Sequence, residues 1–308
     1  MSIQHNRCNV LFVGGGRRVT LAKYFQERGR VFSYETDQCP IAQQCQVIPG
    51  KLWTDLSIYQ HLKDTIDSYN IHLTIPLHDE AVRVLAELNR SEVSPVTTAS
   101  VCFDKYYFQE WMLAYFPTWY PKHDNTSPVI CKPRFGYGSR NIHIEQSVST
   151  KAAQQYKQDG YIIQKYVSGG QEYTVDAYFN KHGKMVGAFP RTRLRVAGGE
   201  VINSCTVQDT ELITITKRVG ETLKLRGPIC MQYIKSQSCP HPMLIEINAR
   251  FGGGSTLTLH AGFDMIDLLI KEYVQHVDIT DIGQEYCKFY KWQTLMLRYL
   301  SDTFTYIK

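Results

Sequence analysis

Leu244-Ile245-Glu246-Ile247-Asn248-Ala249-Arg250-Phe251-Gly252-Gly253-Gly254 decides how the chain folds and what chemistry it can do. Apolar and polar residues alternate through Asn248, so the stretch reads as a strand with Ile245 and Ile247 on one face and Glu246 and Asn248 on the other. A carboxylate and a carboxamide two residues apart on one face present oxygens to a single hard cation. Magnesium favours such donors and leaves its other positions to water and phosphate. Arg250 continues that face, where a guanidinium can stabilise a transferring phosphoryl group. Three glycines then turn the chain. The preceding strand, Pro228 to Ile234, offers Gln232 on the face opposite Met231 and Tyr233.

Working back, Ile130-Cys131-Lys132-Pro133-Arg134-Phe135-Gly136-Tyr137-Gly138-Ser139-Arg140 is a strand that delivers a lysine into a glycine loop. Glycines let a backbone close over phosphates, and the lysine supplies positive charge. Further on, Ile162-Ile163-Gln164-Lys165-Tyr166-Val167 is an extended segment whose backbone suits the edge of a purine, and Glu172 could accept from ribose hydroxyls. Pro190-Arg191-Thr192-Arg193-Leu194-Arg195 places three arginines on one strand face, suited to a carboxylate or an acyl phosphate or simply to solvent.

The first hundred residues alternate strand and helix: Val10–Val13, a helix with Val19, Ala22 and Phe25, then Val31–Tyr34, a helix through Ile58, Leu62 and Ile66, then Leu73–Leu77. Such alternation implies a parallel sheet with right-handed crossovers. Gly14-Gly15-Gly16 follows the first strand, with Asp37 about twenty residues on. This resembles a dinucleotide fingerprint, but Val19 stands at its third glycine position. A glycine turn there could still bind an anion through free N–H groups. Asp79 follows the third strand and could cap a helix or contact a substrate. Pro117, Pro121 and Pro128 mark a junction, beyond which the pattern is α+β.

The chain has 308 residues, 43% of them hydrophobic, and a formal net charge of +5, which suits a pocket for a polyanion. No basic stripe carries interleaved aromatics, so no nucleic-acid partner is expected. No apolar run is long enough to span a bilayer and Met1 opens no signal pattern, so no membrane partner and a cytoplasmic location are expected. The nine scattered cysteines read as reduced thiols.

In their order, these features resemble the ATP-grasp superfamily, most closely single-copy relatives of the carbamoyl phosphate synthetase large subunit and small carboxylate–amine ligases. The resemblance covers nearly the whole chain. It implies an α/β Rossmann-like pre-ATP-grasp domain over residues 1–98, then an α+β ATP-grasp domain over 99–308, with a small lid lobe at about 120–167 and a large lobe at about 168–308. It implies that Lys105, Lys132, Gly136, Gly138, Ser139, Gln164, Lys165, Tyr166, Val167 and Glu172 hold ATP, and that Gln232, Glu246 and Asn248 hold Mg2+, with Mn2+ as a substitute. Arg250 and Arg193 would be catalytic, and Gly15, Gly16, Asp79 and Arg191 would lie near the substrate. The implied reaction activates a carboxylate as an acyl phosphate and joins it to an amine. With one grasp unit, carbamoyl phosphate synthesis is not expected. The further carboxyl-terminal domain of many relatives has little room after the last helix, so a homodimer or a partner subunit would supply that wall. A kinase-like phosphotransferase and a non-catalytic ATP sensor are the rival readings.

Overall fold

A computed structural model describes residues 8–123, 128–136, 138, 140–299 and 301–302. Tyr137 and Ser139, and with them the expected phosphate contact at Ser139, lie outside the described residues.

The amino-terminal strands β1 (Cys8–Val13), β2 (Gly29–Glu35), β3 (Gln46–Pro49) and β4 (Leu73–Pro76) form a parallel sheet in the order β3-β2-β1-β4. The helix α1 (Val19–Gln26) connects β1 to β2, α2 (Ile58–Ser68) connects β3 to β4, and α3 (Asp79–Glu87) follows β4. Every β1 residue but Asn9 is buried, as a strand covered on both faces requires. Two further helices follow, α4 (Val96–Phe103) and α5 (Lys105–Tyr115). The boundary expected at 98/99 therefore falls inside α4, which the propensity-poor run Val96-Thr97-Thr98 conceals.

A three-stranded antiparallel sheet comes next, from β5 (Val129–Pro133), β6 (His143–Glu145) and β7 (Tyr161–Lys165), backed by α6 (Thr150–Gln158). Its core is small: Val129, Cys131 and Ile163 are buried, and Val148, Ala153, Tyr156 and Tyr161 pack on them. At roughly 2 kcal/mol per buried side chain, this cluster is a minor one, separate from the two larger cores.

The largest sheet runs β12-β11-β8-β9-β10-β13, from β8 (Gln171–Phe179), β9 (Met185–Ala197), β10 (Glu200–Thr206), β11 (Gly227–Lys235), β12 (Met243–Asn248) and β13 (Leu295–Leu297). The helix α7 (Thr210–Leu223) starts at Asp209, whose carboxylate accepts from Leu212 N–H, and buries Leu212, Ile215, Val219 and Leu223. Three short helices, α8 (Ser255–His260), α9 (Met265–Leu269) and α10 (Gly283–Lys288), lie between β12 and β13. The helix α9 leaves α-geometry at Ile270, where a π-helical turn (Ile270–Val274) takes over. One continuous core joins Leu11, Val13 and Phe32 of the first sheet to Val175, Ile229 and Ile247 of the largest. The nine cysteines are free thiols. Among the described residues, no helix is long and apolar enough to cross a membrane.

Candidate active site

A cleft of about 280 Å³ opens between the small sheet and the largest one. Its lining draws together Lys105, Lys132, Gly136, Gly138, Gln164, Lys165, Tyr166, Val167, Glu172, Arg193, Gln232 and Glu246, which the chain spreads over more than a hundred residues. Asn248 and Arg250 lie beyond that lining, as do Gly15, Gly16, Asp79 and Arg191.

The two lysines reach the cleft by different routes. Lys132 comes from β5, and burial pushes its ammonium down to about 8, against an upward pull from Glu246. Lys105 is the first residue of α5. Its Nζ donates to Gly136 O at 2.8 Å, and its backbone N–H donates to Arg134 O. Asp104 caps α5 by accepting from Tyr106 N–H, and the same carboxylate receives Arg134 through Nε at 2.8 Å and Nη2 at 2.6 Å. This fork ties the glycine loop to the helix that presents Lys105. Neither Asp104 nor Arg134 is singled out by its sequence context; only the pairing across thirty residues reveals them.

The extended segment after β7 is less open than its sequence suggests. Lys165 N–H donates to Pro121 O at 3.0 Å and Tyr166 N–H to Pro128 O at 2.7 Å. The junction prolines, which lack N–H groups, serve as acceptors here. Val167 is buried and lines the cleft. The Gln164 side chain donates to Tyr120 OH, leaving its Oε1 buried and unpaired. Glu172 faces its neighbour strand, where its Oε2 lies 2.8 Å from Arg193 Nε.

Gln232 and Glu246 are register partners across β11 and β12. A bulge follows at once, because Tyr233 pairs with Leu244. Ile245 is the extra residue. It lines the cleft beside Glu246 rather than joining Ile247 in the core, which corrects the simple alternation expected for this strand. Asn248 Oδ1 accepts from Arg250 Nη2 at 2.9 Å. Among the described residues, no group of three or more His, Cys, Asp or Glu side chains stands together as a metal site. The fit to magnesium is that of a hard oxygen set with a single carboxylate, which needs phosphate oxygens to complete it.

Arg250 departs from the expected picture. Its Nε and Nη2 each donate to the Asp79 carboxylate at 2.8 Å, and its Nη1 donates to Phe251 O. Asp79 is thus not a helix cap: His78 holds the cap position of α3 and Asp79 its first turn. Burial would raise the Asp79 carboxyl, but the charge and hydrogen bonds of Arg250 hold it below the ordinary carboxylate range.

The three alternate arginines sit at three depths. Arg191 is fully buried, its Nε 2.8 Å from Asp176 Oδ2, with Ser255 and Thr258 on the same carboxylate. Arg193 lines the cleft, and Arg195 is exposed. The glycine turn after β1 also differs from expectation. Gly14 N–H donates to Tyr34 O, and Gly16 N–H donates to the Glu35 carboxylate at 3.1 Å. Glu35 occupies the position an incoming phosphate would take, so this turn is not a free anion site.

A family model described as "ATP-grasp in the biosynthetic pathway with Ter operon" matches residues 157–288. Among solved structures, the L-amino acid ligase of Bacillus licheniformis superposes with a TM-score of 0.64 at 14% identity, over 87% of this chain and 74% of that one. The N5-carboxyaminoimidazole synthetase of Staphylococcus aureus complexed with ADP superposes at 0.66 and 13% identity, over 88% and 78%. For the biotin carboxylase domain dimer of the Hydrogenobacter thermophilus 2-oxoglutarate carboxylase, complexed with MgADP, ADP and bicarbonate, the values are 0.67 and 13%, over 93% and 73%.

The chain has the ATP-grasp fold.

No curated protein matches the sequence. In ATP-grasp terms, the cleft is the space between the two lobes, with the β5–β6 glycine loop above and the β11–β12 pair below. The loop is not free-standing. The hairpin between β9 and β10 carries Gly198-Gly199, and a Cβ placed on Gly199 would stand 2.5 Å from Gly138 Cα. The backbone of one lobe therefore rests directly on the backbone of the other, a contact that only glycine permits.

Proposed function

We propose that the chain is an ATP-dependent carboxylate–amine ligase that forms an amide through an acyl phosphate and releases ADP and phosphate. The observation that carries this reading is the convergence in one cleft of Lys105, Lys132, Glu172, Arg193, Gln232 and Glu246. The adenine would lie along Gln164 to Val167, with the buried Val167 N–H donating to a ring nitrogen. Glu172 would turn from Arg193 to the ribose hydroxyls. Lys105 and Lys132 would hold the phosphates, with Gly136 and Gly138 closing over them. Solved structures that share the fold carry ADP and MgADP, which supports an adenine nucleotide as the ligand.

Gln232, Glu246 and Asn248 would hold magnesium, which when bound neutralises phosphate charge and orients the γ-phosphoryl group. Arg193, once Glu172 has moved to ribose, is free to bind the carboxylate that attacks phosphorus. The carboxylate oxygen forms the new P–O bond, and the β–γ bridging oxygen leaves with ADP. The amine then attacks the acyl carbon, and phosphate departs with the carboxylate's former oxygen. Arg250, locked by Asp79 and Asn248, presents a fixed positive charge beside the metal strand. Little covalent work falls to the protein, so positioning and electrostatics carry the rate. The Gly138–Gly199 contact would keep water from the acyl phosphate.

The family description, a biosynthetic pathway, fits a small-molecule ligase. The test is ADP release from Mg-ATP over a panel of amino acids, small acids and amines, with Glu246→Ala alongside. The ligase requires both a carboxylate and an amine and loses turnover in the variant. ADP release with a carboxylate alone, with the phosphorylated acid as product, would mark a kinase-like enzyme instead.

A further inference from the structure

Behind the cleft, the turn Gly252-Gly253-Gly254 that follows the metal strand is ringed by arginines. Arg298, just past β13, donates through Nη2 to Gly253 O. Arg18, two residues after the amino-terminal glycine turn, brings its Nη1 to 2.8 Å from where a Gly253 Cβ would stand. Arg191 lies beneath, its Nη1 2.6 Å from the corresponding point on Gly254. Three distant segments thus aim guanidinium groups at one two-residue turn, and glycine at both positions lets them approach.

The charges there do not balance. Arg250 is matched by Asp79 and Arg191 by Asp176. Arg18 and Arg298 share Glu200, the first residue of β10. Arg298 Nη1 is 3.0 Å from Glu200 Oε2, while Arg18 Nη1 is 3.7 Å from Oε1, too far for a hydrogen bond. Burial pulls the Arg18 guanidinium below its ordinary value; Glu200 opposes this, while Arg250 and Arg298 add to it. A second observation points the same way: Arg191 Nη1 is fully buried and has no hydrogen-bond partner among the described residues. With Arg18 and Arg298 about three-quarters enclosed or more and Arg191 fully buried, a surplus of guanidinium donors here is best completed by an anion.

We propose that Arg18 and Arg298, meeting over the Gly253–Gly254 turn, form the docking point for an anionic group of the co-substrate, a carboxylate or a phosphate. This rests on the ligase reading, and it sets the substrate class: one of the joined molecules carries an anion besides any carboxylate that reacts. Glu200 holds the two arginines apart until that anion arrives and then turns to solvent, being the most exposed of the three side chains. The site couples the two sheets, because Arg18 belongs to the parallel-sheet region and Arg298 follows the last strand of the largest sheet.

The experiment saturates the full chain with magnesium and a non-hydrolysable ATP analogue, then titrates L-glutamate or inorganic phosphate and follows the thermal midpoint. Potassium chloride at matched ionic strength is the control. One of the two probes should stabilise the complex beyond the control. Its apparent affinity should fall at least tenfold in Arg18→Gln and in Arg298→Gln, and less in Arg298→Lys. Affinity for the analogue should stay within twofold, which also shows that the variants fold. Binding of glutamate alone assigns a carboxylate, and of phosphate alone a phosphorylated substrate. Stabilisation by neither probe, or by both variants as well as by the wild type, overturns the site while leaving the ligase reading intact. Failure of the analogue to bind the wild-type chain overturns that reading, and the docking point falls with it.

Discussion

Arg250 grips Asp79 with two parallel hydrogen bonds of 2.8 Å, joining the turn after β12 to the first turn of α3, 171 residues away in sequence. The pair is mostly enclosed, with side-chain exposures of 13% and 25%. A guanidinium bound in this way is fixed in angle as well as position. Asp79 therefore acts on the proposed chemistry by holding Arg250 and not by touching substrate.

Removing Asp79 leaves a guanidinium without its acid in a half-closed site. Asp79→Ala should cost about 2–3 kcal/mol, somewhat below the ~3–5 expected when a fully buried pair is broken. The urea midpoint should fall accordingly. The turnover number should drop by at least tenfold with the KM for ATP little changed, because Arg250 lies outside the lining of the cleft proposed for the nucleotide. A rise in KM without loss of turnover would place Arg250 on the nucleotide instead.

Lys132 carries a pH dependence whose sign follows from its depressed value of about 8. In the nucleotide-free protein the ammonium loses its proton as pH rises through 8, while the unfolded chain keeps that proton until the ordinary lysine range. Between those limits the unfolded state binds more protons, so stability from this group rises with pH; below 8 its burial as a cation is a standing cost. Lys132→Met should remove that rise, read as the difference in urea midpoint between wild type and variant across pH 7 to 10. Affinity for an ATP analogue should run the other way in the wild type, weakening above pH 8 as the charge is lost.

The proposed metal set holds one carboxylate. Magnesium should therefore bind the nucleotide-free chain only weakly, in the millimolar range or above, and tightly once an ATP analogue supplies phosphate oxygens. Calorimetric titration with and without the analogue measures the difference. Glu246→Gln should remove most of the tight binding.

Gly199 meets Gly138 backbone to backbone. Gly199→Val would demand a left-handed φ of +78° from a branched residue and drive its Cβ into the opposite loop. The lid should then fail to close. ADP should still form but more of it without amide, so the ratio of ADP to product should rise severalfold above the wild-type value. An unchanged ratio would mean that this contact is not part of the closed state.

Much of this architecture was legible in the sequence, for identifiable reasons. The strands β1, β5, β8 and β12 are runs whose alternation or continuous apolarity is strong, and the glycine runs mark their ends. The stripe Leu212, Ile215, Val219 and Leu223 fixes α7. What was not legible depends on pairing. The strand β13 is three residues long and exists through its ladder with β10. Simple alternation puts Ile245 on the face of Ile247, because a bulge, which belongs to two strands at once, cannot be read from one. The glycine turn reads as an anion site because Glu35, which accepts from Gly16 N–H, comes from another strand. Arg18 and Arg298 have no local motif at all, and only the fold brings them to the same turn.

The central claim is that a carboxylate oxygen attacks the γ-phosphorus of ATP and later departs with phosphate. Its most direct test is to supply the carboxylate substrate labelled with oxygen-18 in both oxygens, with Mg-ATP and the amine, and to weigh the phosphate released. The account requires one labelled oxygen in each phosphate formed with the amide. Unlabelled phosphate accompanying ADP would show attack by water and contradict it.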